Sequence, residues 1–450
     1  MKKSQTSTLL KKTHSYTILD ALNVDIEVTA NPYLLPIEEL FTMAARINKK
    51  RSFLFVSKVL GKHIPITPQK GLLTAALLGM RYAELIKGLN PIEKERLLTL
   101  YSEDKPSYQS TSFIPKQVNP VVIGFAETAT SLGHAFFDCF INAEYFHTTR
   151  EELKDLMPSV TFEEEHSHAT SHRCYIPIEM IKNDREIILV DDEMTTGKTA
   201  LNIIQSIHTQ YPRKDYTVVS ILDWRSGEHI KEFEKLENTL GITINVVSLL
   251  AGKVQVNQFQ NIPEQSDRRD HSLPAKQPIE VISLSSFFKN TGFSALLSHQ
   301  SQAPFIEETG RFGISSDRNT SLHQQISDAA KYLSEKRNGV KTLCLGTGEF
   351  MYIPMKLAAE MGKNILFQST TRSPIHIAKV NGYGARYGIN FLNPEDESVA
   401  HFVYNIPPNE YDEVFIFFER EVTNEKLKPL LKQLENLQIK SIKVVFFSQS

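Results

Sequence analysis

The chain has 450 residues, 41% of them hydrophobic and 23% charged, with a formal net charge of −2. That length supports two or three domains with a sizeable core, and the near-neutral balance lacks the basic excess or stripe that marks non-specific nucleic-acid binding. Its three cysteines, Cys139, Cys174 and Cys344, stand at no metal or disulfide spacing, which argues against a disulfide framework or zinc knuckle and makes a reducing cytosol the expected setting.

Residues 1–30 are polar, and the alternation Tyr16, Ile18, Leu22, Val24, Ile26, Val28 suits one or two edge strands of an N-terminal extension. An apolar core of signal-peptide length and a small-residue cleavage pattern are both missing there, so export is not expected. From Asn31 the pattern tightens: a helix is predicted near residues 37–47, a strand over 51–56, and a loop over 58–63 closed by Pro65 and Pro68. The apolar run 72–80 ends at Arg81 and Glu84. It falls well short of the roughly 18 residues of a membrane span and reads as a core helix. Residues 121–126 form a buried strand leading into a helix through Phe137, and 187–190 and 216–222 are two more strands. Strands alternating with helices predict a doubly wound parallel sheet over residues 31–252, with its site at the strands' C-terminal edge. Gln, Asn, Asp and Pro dominate 255–277 and mark a linker over 253–305. A second α/β unit is predicted over 306–450: a helix over 322–333, a strand over 342–345, the turn Gly346-Thr-Gly348, a helix over 352–361, and strands over 365–368 and 414–418. No fixed-period repeat is present.

The run 187–200, Ile-Ile-Leu-Val-Asp-Asp-Glu-Met-Thr-Thr-Gly-Lys-Thr-Ala, carries the most chemistry. A buried parallel strand leads to Asp191, Asp192 and Glu193; Thr195, Thr196, Gly197, Lys198 and Thr199 then bring hydroxyls, backbone N–H groups and a cation to the start of a helix. Gly197-Lys198-Thr199 has the ending of a nucleotide-triphosphate P-loop, but that pattern needs a glycine where Asp192 stands. Adjacent carboxylates upstream of a phosphate cradle suit a sugar phosphate, whose vicinal hydroxyls donate to them while its phosphate sits on the loop. A plain strand-to-helix turn with an acidic cap explains one Asp and one Thr but not the whole run.

This run resembles the phosphoribosyl-pyrophosphate (PRPP) signature of type I phosphoribosyltransferases. The resemblance implies that Asp191 and Asp192 hold the ribose hydroxyls, meeting Mg²⁺ only through those hydroxyls or water, and that Thr195, Thr196, Gly197, Lys198 and Thr199 hold the 5′-phosphate. Glu193 reads as an acid or base, or as a solvent-facing carboxylate. Residues 51–63 resemble the N-terminal hood strand of the orotate enzymes, with Lys58 and Lys62 as pyrophosphate ligands or as a solvated basic loop. Residues 124–130 resemble the pyrophosphate loop, offering Ala126, Glu127, Thr128 and Ala129, with a plain turn as the alternative; Glu127, unusual beside an anion, also reads as reaching Mg²⁺ or its water. The polar stretch 161–173 stands where the family carries a mobile catalytic loop. It reads as a lid bringing His166, His168, His172 and Arg173 to pyrophosphate, as a metal cluster, or as a surface loop. Trp224, the chain's one tryptophan, reads as a stacking face for a base or as a core residue.

In the C-terminal third, Thr371-Arg372-Ser373-Pro374 is the tetrapeptide of the TRSP domain. That domain follows an orotate-phosphoribosyltransferase-like domain in bacterial proteins of tellurite-resistance and stress gene clusters. The hydroxyls and Arg372 suit a phosphate or carboxylate, and Gly346, Gly348, Glu349, Thr371, Arg372 and Ser373 are the expected second-domain ligand residues, joined by an arginine from 310–313; a turn that caps a helix is the alternative. Together the resemblances imply a type I phosphoribosyltransferase fold, a doubly wound parallel sheet with a hood, followed by a second α/β Rossmann-like domain. They imply Mg²⁺-dependent transfer between PRPP and a nitrogenous base or nucleotide, in either direction, in the biosynthesis of a nucleoside-like compound. A protein that senses PRPP or a nucleotide without turnover is the alternative. A homodimer and proteins of the same gene clusters are the expected partners, with no nucleic acid and no membrane.

Overall fold

The computed structural model describes residues 13–47, 52–103, 107–127, 129–153, 156–163, 171–260, 277–292 and 303–449. The first half runs β1 (Thr13–Ile18), β2 (Leu22–Ala30), α1 (Ile37–Leu40), β3 (Phe41–Ala45), β4 (Phe53–Ser57), α2 (Pro68–Leu85), α3 (Lys94–Tyr101), β5 (Val121–Gly124), α4 (Ala129–Phe137) and β6 (Glu144–His147). It continues through β7 (Val160–Glu163), β8 (Ser171–Cys174), β9 (Ile187–Met194), α5 (Lys198–Gln210), β10 (Asp215–Asp223), α6 (Gly227–Leu240) and β11 (Thr243–Gln258). The second half holds β12 (Ile279–Ser283), β13 (Ile314–Ser315), α7 (Ser316–Glu335), β14 (Thr342–Gly346), α8 (Tyr352–Glu360) and β15 (Ile365–Ser369). The hairpin of β16 (Gly388–Asn393) and β17 (Asp396–Tyr404) then leads to β18 (Glu413–Phe418), α9 (Asn424–Asn436) and β19 (Ser441–Phe446).

Eight strands form the first sheet in the order β1-β2-β11-β10-β9-β5-β6-β13. Its centre, β11 through β6, is parallel. The apolar run of β9 shows why: Ile188 and Val190 face one core with α2 and α4, while Ile187 and Leu189 face another with α5 and α6. A strand covered on both faces is apolar at successive positions. The N-terminal segment is not an appendage, because β2 pairs antiparallel with β11 along the sheet. The helix expected over 37–47 ends at Leu40, and residues 41–45 become β3, paired with β4. Pairing in that ribbon buries Phe41 and Met43, which a single helical face would not place together.

The second sheet is parallel throughout, in the order β12-β19-β18-β14-β15. One face packs on α9 through Leu427, Leu430 and Leu434. The other face shares a single core with α2, α4, α7 and α8, so both sheets are built on the same apolar body. The expected linker over 253–305 is also partly structural: β11 runs on to Gln258, and β12 is an edge of the second sheet; beyond it, β13 extends the first sheet beside β6. Among the described residues, no helix is long and apolar enough to cross a membrane.

Candidate functional site

In space β9 lies beside β5, although the chain places β6, β7 and β8 between them. Strand order therefore reverses between β5 and β9, and the loops after such strands splay apart into a crevice where α/β proteins bind ligands. One wall is the turn after β9, and the other is the turn after β5.

On the first wall, Asp191 and Asp192 stand on the strand itself, since β9 runs on to Met194. Asp191 Oδ1 accepts from the Asp192 N–H at 2.9 Å. Although Asp191 keeps some solvent contact, its carboxyl is pushed well above the ordinary carboxylate range: loss of water is the larger cause, and the charge of Asp192 is the next. The pair is thus poised to gain from hydroxyl donors or a cation. Gly197 is the N-cap of α5, with φ +76° and no side-chain cap hydrogen bond. A Cβ at this glycine would stand 2.5 Å from the Phe233 ring. The Lys198 N–H donates to Thr196 Oγ1 at 3.3 Å, which folds the threonine back over the helix start. Thr195, Thr196, Lys198 and Thr199 are all half-buried around that end. An uncapped helix N-terminus ringed by hydroxyls and a lysine is an anion cradle.

Arg225, to which the sequence alone assigns no role, braces this wall. It forms a two-pronged bond to Asp223, Nε to Oδ1 at 2.9 Å and Nη2 to Oδ2 at 2.8 Å, and its guanidinium lies 4.4 Å from the centre of the Phe233 ring. Trp224 beside it is buried, stacked on Phe55 at 4.9 Å and met edge-on by Phe41 at 5.8 Å. Trp224 is thus packed as a core residue. Its ring is used to seat the β3–β4 ribbon, so it offers no open face to a base.

On the second wall, Gly124 allows β5 to turn sharply, since a Cβ there would meet the Ala129 carbonyl oxygen at 2.6 Å. The Ala126 N–H donates to Thr148 Oγ1 at 2.9 Å, and Ala129 opens α4. The peptide bond between Ala126 and Glu127 is cis. Thr128 and His168 lie outside the described residues, as does His166. Glu127 turns toward the second domain, where its Oε2 accepts from Thr371 Oγ1 at 3.1 Å and from the Arg372 N–H at 3.4 Å.

Other expected ligands are differently employed. Lys58 Nζ donates to the Glu38 carbonyl at 2.8 Å, and the Lys62 carbonyl accepts from Gln368 Nε2 at 3.4 Å, placing that segment on the seam with β15. His172 and Arg173 belong to β8, paired with β7. His172 is buried with Nδ1 2.8 Å from Thr148 Oγ1, and Arg173 pairs with Glu152 at 3.4 Å. The described ends of the 161–173 stretch are therefore strands rather than open loop.

In the second domain, Thr371 points inward: it is fully buried on Glu127, and its Oγ1 also accepts from the backbone N–H of the half-buried Ser373 at 3.2 Å. The Thr371 hydroxyl is thereby spent on the Glu127 carboxylate rather than turned to an anion. Glu349 is a bridge between domains, accepting from Thr149 Oγ1 at 2.6 Å and from the Arg150 N–H at 2.9 Å. Arg311 does converge there, though on carboxylates: Glu419 at 2.6 Å, Glu151 at 3.0 Å and Glu349 at 3.9 Å. Burial opposes its charge, but Glu151, Glu419 and Glu349 together hold the guanidinium above its ordinary pKa. The Gly346 to Gly348 turn follows β14, and the second sheet reverses its strand order between β14 and β18. The edge carrying the Thr-Arg-Ser segment is a second crevice of the same kind. Among the described residues, no group of three or more His, Cys, Asp or Glu side chains is arranged to hold a metal ion.

The carboxylate pair and the cradle at the switch point of the parallel sheet fall within a stretch that matches a phosphoribosyl transferase family. Residues 40–253 match the PRTase_2 family model, "Phosphoribosyl transferase", and residues 308–434 match TRSP, "TRSP domain C terminus to PRTase_2". The chain thus carries a phosphoribosyltransferase domain followed by a TRSP domain. No curated protein matches it. Among solved structures, adenine phosphoribosyl transferase from Trypanosoma brucei, in complex with AMP, pyrophosphate and ribose-5-phosphate, is similar at 11% identity over 50% of this chain and 82% of that one, with a TM-score of 0.30. Adenine phosphoribosyltransferase from Leishmania tarentolae is similar at 15% identity over 48% and 85% of the two chains, with a TM-score of 0.27. The enzyme from Rhodothermus marinus is similar at 12% identity over 48% and 96%, with a TM-score of 0.27.

Proposed function

We propose that the crevice between β5 and β9 binds PRPP with Mg²⁺ and exchanges its pyrophosphate for a nitrogen acceptor, in the cytosol and in the biosynthesis of a nucleoside-like compound of the stress or tellurite-resistance kind. The observation that carries this reading is the placement of Asp191 and Asp192 on β9 directly before the uncapped N-terminus of α5. In that frame the 5′-phosphate lies on Thr195 to Thr199, and the two carboxylates accept from the ribose hydroxyls. Carboxylate oxygens crowded by like charge suit a hard divalent cation or the water it carries. Mg²⁺, when bound, neutralises the departing pyrophosphate.

The acceptor nitrogen forms its bond to C1′ as the C1′–O bond breaks, and the bonding electrons leave with pyrophosphate. The chain's own contribution is positioning and fixed dipoles: the helix end holds one end of the sugar and the carboxylates fix its rotation. The reading includes a Rossmann-like second domain, a dimer, and partners encoded in the same gene clusters.

Replacing both Asp191 and Asp192 by Asn is expected to abolish PRPP binding in calorimetry while the fold is retained; unchanged affinity would remove the proposal. Release of pyrophosphate on mixing PRPP with a panel of bases is the expected sign of turnover, and PRPP binding without any release would make the chain a sensor instead.

A further inference from the structure

Behind the turn that follows β5, the second domain holds a small set of polar atoms whose hydrogen-bonding capacity is not met. The Gly348 N–H donates to Thr370 Oγ1 at 2.9 Å, so the Thr370 hydroxyl proton is left to donate elsewhere. Its neighbour is His401 Nδ1 at 2.8 Å. Burial, the largest cause, lowers the His401 pKa to about 4, against the opposing charge of Glu127. The ring is therefore neutral at physiological pH, and with Nδ1 accepting, its proton sits on Nε2. His401 is 2% exposed, and Nε2 has no partner among the described residues.

The opposite polarity comes from the first domain. Glu127 is 9% exposed and spends Oε2 on Thr371 and Arg372, while Oε1 is buried without a partner among the described residues. A Cβ on Gly348 would stand 3.4 Å from His401 Cε1, so the bare glycine lies beside that edge of the ring. A buried donor and a buried acceptor left open are costly unless something satisfies both.

We propose that His401 Nε2 and Glu127 Oε1 form a clamp between the two domains for a planar ligand that carries an acceptor beside an N–H donor, as an amide or a nucleobase amidine edge does. A free phosphate is excluded, because it would meet the Glu127 carboxylate. Arg372, half-buried on the same segment, adds a cation that suits an electron-rich ring or a polar substituent on it. The site is distinct from the sugar-phosphate cradle on β9, but it shares the turn after β5 with it through Glu127. The assignment stands on this cluster alone and does not depend on phosphoribosyl transfer.

Calorimetric titration of the full chain with adenine, with nicotinamide and with orthophosphate tests it. At least one of the two nitrogenous probes is expected to bind one to one, and orthophosphate is expected neither to bind at the clamp nor to displace that probe. His401→Leu is expected to weaken the probe at least about ten-fold, and His401→Gln, which restores an N–H near the Nε2 position, to recover most of it. If His401→Leu fails to fold, Glu127→Gln serves: its amide oxygen must face Thr371 and Arg372, so its NH₂ group meets the ligand's donor and binding weakens likewise. PRPP titration of the His401 variants reads the other site separately and is expected to be unchanged. Silence from both nitrogenous probes, displacement by orthophosphate, or equal affinity in a folded His401→Leu protein would overturn the clamp. A crystal grown with either probe that shows a single water bridging Nε2 and Oε1 would do so as well.

Discussion

Asp191 shows how a site residue trades stability for readiness. Its carboxyl pKa is raised in the folded chain, so below the ordinary value of 3.8 folded and unfolded states are both protonated and the residue is neutral to stability. Above that value the unfolded chain ionises while the folded one resists, so stability is lost progressively up to the folded pKa. Asp191→Asn is therefore expected to raise the melting temperature at pH 8 relative to the parent, with a smaller difference at pH 4, while PRPP affinity collapses. Calorimetric melts at both pH values check this, and a parent as stable as the variant at pH 8 would contradict the crowding. Arg311 presents the reverse case, a buried cation satisfied by Glu419, Glu151 and Glu349. Arg311→Met strands those carboxylates, and the loss is expected to be about 3–5 kcal/mol in denaturant melts.

At the scale of elements, the turn between β9 and α5 depends on Gly197. With φ +76° and the Phe233 ring 2.5 Å from where a Cβ would stand, Gly197→Ala meets both backbone strain and a clash. The expected result is a loss of about 1–3 kcal/mol together with weaker PRPP binding, and adding Phe233→Leu is expected to return part of the stability while the φ penalty persists. This turn was legible in the sequence because everything it needs is local: an apolar strand, two carboxylates, small residues and a helix start within 187–200. Strands β5, β9, β10, β14, β15 and β18 were legible for the same reason, whereas the inner strands β6, β11 and β19 were not read from the sequence. What escaped was non-local. No periodicity in 41–45 announces a strand whose partner is 53–57, and nothing near Trp224 reveals that Phe41 and Phe55 will cover it. Glu127 looked anomalous beside an anion because its partners, Thr371 and Arg372, lie in the distant C-terminal third of the chain.

At the scale of the molecule, the linker reading of 253–305 understated how far the halves depend on each other. β13 closes the edge of the first sheet, and α7 and α8 lie in one core with α2 and α4. Polar ties reinforce that core: Asp138 on the first domain's side accepts from Tyr352 at 2.6 Å and Asn319 at 2.6 Å, and His134 stacks on Tyr352 at 3.7 Å. Burial disfavours the Asp138 charge, yet His323 and Lys356 hold its pKa below the ordinary carboxylate range, so the tie is an ionic one. Domains joined only by a linker melt separately, whereas halves sharing an apolar body melt together. The full chain is expected to show a single calorimetric transition. A fragment ending at residue 292 is expected to expose the α2 and α4 faces, to bind a hydrophobic dye such as ANS, and to lose PRPP binding although Asp191, Asp192 and the threonine loop are all present. Two resolved transitions in the full chain, or a dye-free fragment that still binds PRPP, would show that the second domain rests on the first without completing it.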